Sequence, residues 1–266
     1  MKSKKLLSII AIAALSATVI GSSLAYFTDT DQAENVFTSG KVDIKIIEQQ
    51  RKYDSNGVLL GLEDFTDGAK FLPVVTNDTY DAYGLSLDEN YVDKIITVQN
   101  LEEDAYIRVF TAIPAELENL NGVDSLDVLH VEFGDIFSPV GGKTDSSSVN
   151  ADFANWTSNT LEHAGVKLEG YGDTLFNVYM HTYEKALTKD EITGSACVVG
   201  MYLDANIDHN GTNYIYKQPT GDINITYDLT DIKIPVFAQG VQKAGFNSAD
   251  AAFTAAGFTT NPWEVE

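Results

Sequence analysis

Several stretches of the chain alternate apolar and polar residues with a period of two, the spacing that sends one side of a strand into a core and the other toward water. The clearest are Val42-Asp43-Ile44-Lys45-Ile46, the run Tyr106–Ile113 with Ile107, Val109 and Ile113 on one side, and Asp222–Leu229 with Ile223, Ile225, Tyr227 and Leu229 on one side. All three predict half-buried strands. Further strands are predicted over Lys94–Gln99, Leu126–Phe133, Thr174–Glu184, Cys197–Ile207, Asn213–Lys217 and Ile232–Phe237.

Turn chemistry separates them. Asp54-Ser55-Asn56-Gly57, Asn121-Gly122, Gly141-Gly142, Asn210-Gly211 and Pro219-Thr220-Gly221-Asp222 supply the residues that tight turns need. Many short strands with few helical patterns predict a mainly β fold, an antiparallel β-sandwich or jelly roll. Phe137–Gly165, rich in Ser, Asn, Thr and Gly, reads as a long inserted loop. Ser248 ahead of Ala249-Asp250-Ala251-Ala252-Phe253 reads as the N-cap of one short C-terminal helix.

The N-terminus follows another pattern. Lys2, Lys4 and Lys5 precede an apolar stretch from Leu6 to Ile20, then Gly21 and Ser22-Ser23-Leu24-Ala25. That is the order of a secretory signal peptide, and the stretch is short for a spanning helix. Cleavage is expected between Ala25 and Tyr26, so the membrane is met only in transit. The chain then divides into a signal peptide (1–25), an N-terminal arm (26–40), a sandwich domain (41–247) and a helix with tail (248–266).

Composition sharpens this picture. The formal charge is −22, and loss of the signal peptide removes three lysines and no acid. Such a chain is repelled by phosphate backbones, which argues against nucleic-acid partners. With 44% apolar residues, 13 Phe, 13 Tyr and 2 Trp it can bury a large core. Its only cysteine, Cys197, rules out an internal disulfide, and a thiol on the strand side of Val199, Met201, Leu203 and Ala205 reads as core packing.

Little catalytic chemistry is legible. The histidines, His130, His163, His181 and His209, form no His-Glu-x-x-His helix. His130 and His181 read as members of solvated or aromatic strand faces. No cofactor is expected. The run Asp204, Asn206, Asp208, Asn210 puts oxygens at alternate positions and is a calcium candidate, although Lys217 stands where the closing glutamate of an EF-hand would be. A hairpin turn explains Asn210-Gly211 equally well. Glu102-Glu103-Asp104 reads as a solvated turn. Trp156, Tyr171 and Trp263 read as exposed aromatics, which keeps a glycan-binding or adhesive sandwich in view.

The stretch Leu24-Ala25-Tyr26-Phe27-Thr28-Asp29-Thr30, with Asn35-Val36-Phe37-Thr38-Ser39-Gly40 and the strand Val42-Asp43-Ile44 behind it, resembles the junction of exported proteins processed by a SipW-type signal peptidase, the TasA and camelysin family. Lys94–Arg108 resembles the family's second recurring segment. The ending Ala238–Phe246 with Ala251-Ala252-Phe253 is similar to tails of clostridial-type relatives. The resemblance implies a secreted jelly roll of the cell surface or biofilm matrix, whose partners are copies of itself or related subunits and, during export, the SipW-type peptidase. It also implies assembly by a donor segment that completes a neighbour's sheet. Phe27, Phe37, Val42, Ile44 and Ile46 are the residues that such a segment would use, unless Val42–Ile47 opens the domain's own sheet. The camelysin branch implies the rival activity, a secreted metallopeptidase.

Overall fold

The computed structural model describes residues 42–66, 71–75, 85–120, 126–134, 156–157, 160–258 and 260–263. Its strands are β1 (Ile44–Tyr53), β2 (Leu59–Asp64), β3 (Val92–Asn100), β4 (Ala105–Pro114), β5 (Leu129–Phe133), β6 (Thr160–Lys167), β7 (Leu175–Leu187), β8 (Val198–Leu203), β9 (Ile207–His209), β10 (Tyr214–Tyr216), β11 (Ile223–Asn224) and β12 (Val236–Gln242). A single helical turn, α1 (Ala115–Glu118), follows β4, and α2 (Ala249–Ala256) follows β12. One sheet has the order β2-β1-β3-β8-β5 and the other β12-β4-β7-β6, with a small third sheet β11-β10-β9. Every strand pairing within the sheets is antiparallel, so the expected antiparallel sandwich is present.

Alternation explains the core between the two main sheets. Ile44 and Ile46 of β1 and Ile96 and Val98 of β3 point inward from one sheet. They meet Ile107, Val109 and Ile113 of β4 and Val236 and Ala238 of β12 from the other. The chain changes sheets at Leu101–Asp104, where Asn100 Nδ2 donates to the Glu103 carbonyl at 2.9 Å and the Leu187 carbonyl at 3.1 Å. Glu103 and Asp104 stand exposed on that corner, as expected of a solvated turn. The hairpin between β1 and β2 turns on Asp54, whose Oδ1 accepts from the Asn56 and Val58 amides at 2.8 Å, with Gly57 at φ 77°.

Several local expectations are corrected. β4 is buried along its whole length rather than half-buried. Its second face, with Phe110 and Ala112, packs against Phe176, Val178, Phe237 and Trp263, while Tyr106 packs with Val241 and with Ala252 and Phe253 of α2. The C-terminal segment therefore covers a sheet face that alternation alone would leave to water. That segment is capped as its sequence predicts. Ser248 Oγ accepts from the Ala251 amide at 3.3 Å, and Gly257 ends α2 at φ 69°.

The run Asp222–Leu229 forms a strand only at Ile223–Asn224, although Ile225 and Leu229 are buried in the core. Asp228 breaks it: Oδ1 accepts from the Thr230 amide at 2.9 Å and the Asp228 carbonyl from the Asp231 amide at 3.1 Å, closing a turn. The run Cys197–Ile207 splits likewise at Asp204, whose Oδ1 accepts from the Asn206 amide at 2.8 Å. Between Cys197 and Met201 the register is irregular on both neighbouring strands. The slip sends Val199 to the outer face, against Leu85, Tyr91 and Ile95, while Cys197, Met201 and Leu203 face the core; Ala205 is exposed in the turn.

The loop expected over Phe137–Gly165 is corrected at its end, where residues 160–165 belong to β6, a strand that like β2 has no clear period in the sequence. Both lie at the ends of the sheet orders, where packing demands least of a strand, and β6 carries two register shifts against β7.

Candidate functional site at the N-terminal junction

The junction enters the described structure at Val42. Val42 is half-buried, and Ile44 and Ile46 are buried at 2% and 8% exposure. β1 lies between β2 and β3 in its own sheet: Ile44–Gln49 pair with β3 and Gln49–Tyr53 with β2. The Asp43 carbonyl accepts from the Leu101 amide at 2.8 Å. Val42, Ile44 and Ile46 are thus brought together as part of the domain's own core. Of the candidate donor residues, Phe27 and Phe37 lie outside the described residues, as do the cleavage pair Ala25 and Tyr26.

Val42 and Ile44 cross β12 at Gly240. A Cβ on Gly240 would stand 2.8 Å from Val42 Cγ1 and 3.2 Å from Ile44 Cγ2. The start of the domain is therefore seated on the segment Ala238–Phe246, which the sequence singled out only as a tail.

The polar groups near the other end of β1 are unusually well buried. Arg51 pairs with Asp93, with Nη2 2.7 Å from Oδ1, and lies over the Tyr91 ring. Tyr91 donates its hydroxyl to Glu132 at 2.8 Å, and burial raises its pKa. Lys94, 2% exposed, pairs with Glu48 beneath the Phe65 ring. The two ion pairs bridge β1 to β3, and Tyr91, one residue ahead of β3, reaches β5. They fix the strand order around the junction rather than present a reactive surface, since a buried pair is costly to break.

The four histidines sit on four different strands. His130 on β5 is half-buried, stacks on Tyr202 at 4.7 Å and meets Asp204 Oδ2 at 3.0 Å. His163 on β6 meets Thr260 Oγ1 at 3.0 Å. His181 on β7 is fully buried beside Phe133, so its strand face is aromatic and dry rather than solvated. His209 ends β9 edge-on to Tyr214. Among the described residues no three His, Cys, Asp or Glu side chains form a group able to hold a metal.

The calcium candidates fall in and beside the β9–β10 hairpin. Asp204 accepts from Asn206 and meets His130, Asp208 pairs with Lys217, and Asn210 Oδ1 accepts from the Thr212 and Asn213 amides at 3.0 and 2.9 Å. Lys217, at the position where a calcium loop closes with a carboxylate, here neutralises Asp208. Asn206 joins this set through Nδ2, which donates to Asp204 Oδ1 at 2.8 Å.

Two of the three aromatics expected on the surface are inside. Trp156 and Trp263 are 4% and 6% exposed, Trp156 donating its Nε1 hydrogen to the Ser195 carbonyl at 3.0 Å. Tyr171 is half-buried edge-on to Phe176. Both tryptophans belong to cores built by residues distant in sequence.

The described residues contain no helix long and apolar enough to cross a membrane. No curated protein and no solved structure matches the chain. Residues 1–53 match the model of the camelysin metallo-endopeptidase family, a stretch that runs through the signal-peptide pattern and the arm to the last residue of β1. Over that stretch the chain carries the N-terminal signature of the camelysin and TasA-like family.

Proposed function

We propose that this chain is an exported structural protein of the bacterial cell surface or biofilm matrix, which assembles with copies of itself or related subunits through its N-terminal arm. The observation that carries the reading is where the family match ends. It closes at the last residue of β1, whose first half pairs with β3 and second half with β2 in the domain's own sheet. Within the matched stretch this leaves Tyr26–Gly40 to meet a partner once a SipW-type peptidase has cut after Ala25. An added strand takes its affinity from the backbone ladder and its register from alternate side chains, here Phe27 and Phe37.

Electron microscopy of the exported protein, with and without residues 26–40, tests this. Fibres from the parent and a folded monomer from the deletion are expected. A deletion variant that forms fibres at the parent rate removes the arm from the mechanism.

The family's name favours a second reading, a secreted metallopeptidase. Zinc-dependent cleavage of casein that disappears when His130, His163, His181 and His209 are all replaced by glutamine would establish it.

A further inference from the structure

At one end of the sandwich, where α1, the β6–β7 turn and the Thr226–Lys233 segment meet, lies an open cleft of about 960 Å³. Its lining mixes Tyr171, Tyr227 and Leu175 with the carboxylates Glu116, Asp228 and Asp231 and with Lys233. Leu175 is 47% exposed. Phe176 closes the floor, holding the Tyr171 ring edge-on at 5.4 Å.

The carboxylates are fixed by local bonds. Thr226 donates its hydroxyl to Glu116 Oε1, Thr230 donates its amide and hydroxyl to Asp228 Oδ1, and Lys233 Nζ lies 3.1 Å from Asp231 Oδ2. A carboxylate offers about four lone-pair directions. Glu116 and Asp228, both in the lining, therefore keep acceptor capacity while being held in place.

We propose that this cleft binds a glycan carrying free amino groups, of the glucosamine type. The apolar face of a pyranose ring packs on tyrosine, and its hydroxyl and ammonium hydrogens suit fixed carboxylates. The cleft size is that of a small-ligand site. Charge selects among polymers: a chain of formal charge −22 repels anionic ones and attracts a polyamine sugar. A flexible basic peptide shares the charge but has no flat ring to offer the two tyrosines. This inference does not depend on the N-terminal arm, and it restores a glycan role through residues other than the buried tryptophans.

Titration calorimetry of the full exported chain tests the proposal with four tetramers: glucosamine, N-acetylglucosamine, the neutral glucose oligomer and lysine. Binding of the glucosamine tetramer is expected, with affinity lowered about tenfold by the exposed-site variant E116Q/D228N and again by Tyr227→Ala, a loss of roughly 1.4 kcal/mol each. E116Q/D228N alters only exposed carboxylates, so a melting temperature equal to the parent's separates loss of binding from loss of fold. Equal binding of the N-acetylated or neutral tetramer, equal binding of tetralysine, or no binding of the glucosamine tetramer would each overturn it.

Discussion

Gly240 of β12 lies directly beneath Val42, so that a Cβ at this glycine would come within 2.8 Å of the valine Cγ1. Val42 is β-branched and half-buried, and Ile44 crowds the same point, so the contact has no flexible chain end to yield. Gly240→Ala should displace the start of β1 and cost about 1–3 kcal/mol, the usual penalty of overpacking. Urea unfolding measures it. A second variant, G240A with Val42→Ala, should recover part of the loss, because the clash and not a backbone dihedral is its source.

Glu118 gives a pH dependence. Burial raises its carboxyl from 4.5 to about 7, while donation from Asn177 and from the Tyr179 hydroxyl acts in the opposite direction. The folded state holds this proton more tightly than the unfolded chain. Its contribution is therefore present below the unfolded value of 4.5 and is lost as pH rises through 7. Glu118→Gln should gain stability relative to the parent by about 3 kcal/mol between roughly pH 4 and pH 8. A gap of constant size across that range would contradict the burial argument.

The thiol of Cys197 is fully buried, and burial pushes its pKa up to about 12. Thiol reagents should fail to label the native protein and label one site in denaturant. Rapid native labelling would show that the core around β8 opens.

The C-terminal segment should be part of the fold and not an appendage. Arg108 donates its Nε hydrogen to Gln239 at 2.9 Å and lies under the Phe253 ring at 4.2 Å, while Trp263 packs on Phe237. Phe253→Ala should cost about 3–5 kcal/mol, as large-to-small changes in a core do. Circular dichroism melting decides, and a cost under about 1 kcal/mol would place the helix outside the cooperative unit.

By itself the sequence determined the class of the fold, most of its strands and the helix cap. These are local matters: a two-residue period, an Asn-Gly or Asp-rich turn and a serine before a helix act through neighbours in the chain. It also carried the family signature, whose residues 1–53 are contiguous. Tertiary structure alone decided which faces were covered and which polar groups were buried. β4 became a two-sided core strand because α2 and Trp263 return to it from more than a hundred residues away. Val199 changed faces because a slip in register at the β3 and β5 pairings moved it. Trp156, His181 and Lys94 are buried by partners distant in sequence, and the cleft of Tyr171 and Tyr227 joins two segments that share no local pattern. Burial is a property of the assembled sheets, and side-chain alternation records only one of the two surfaces that a strand has to satisfy.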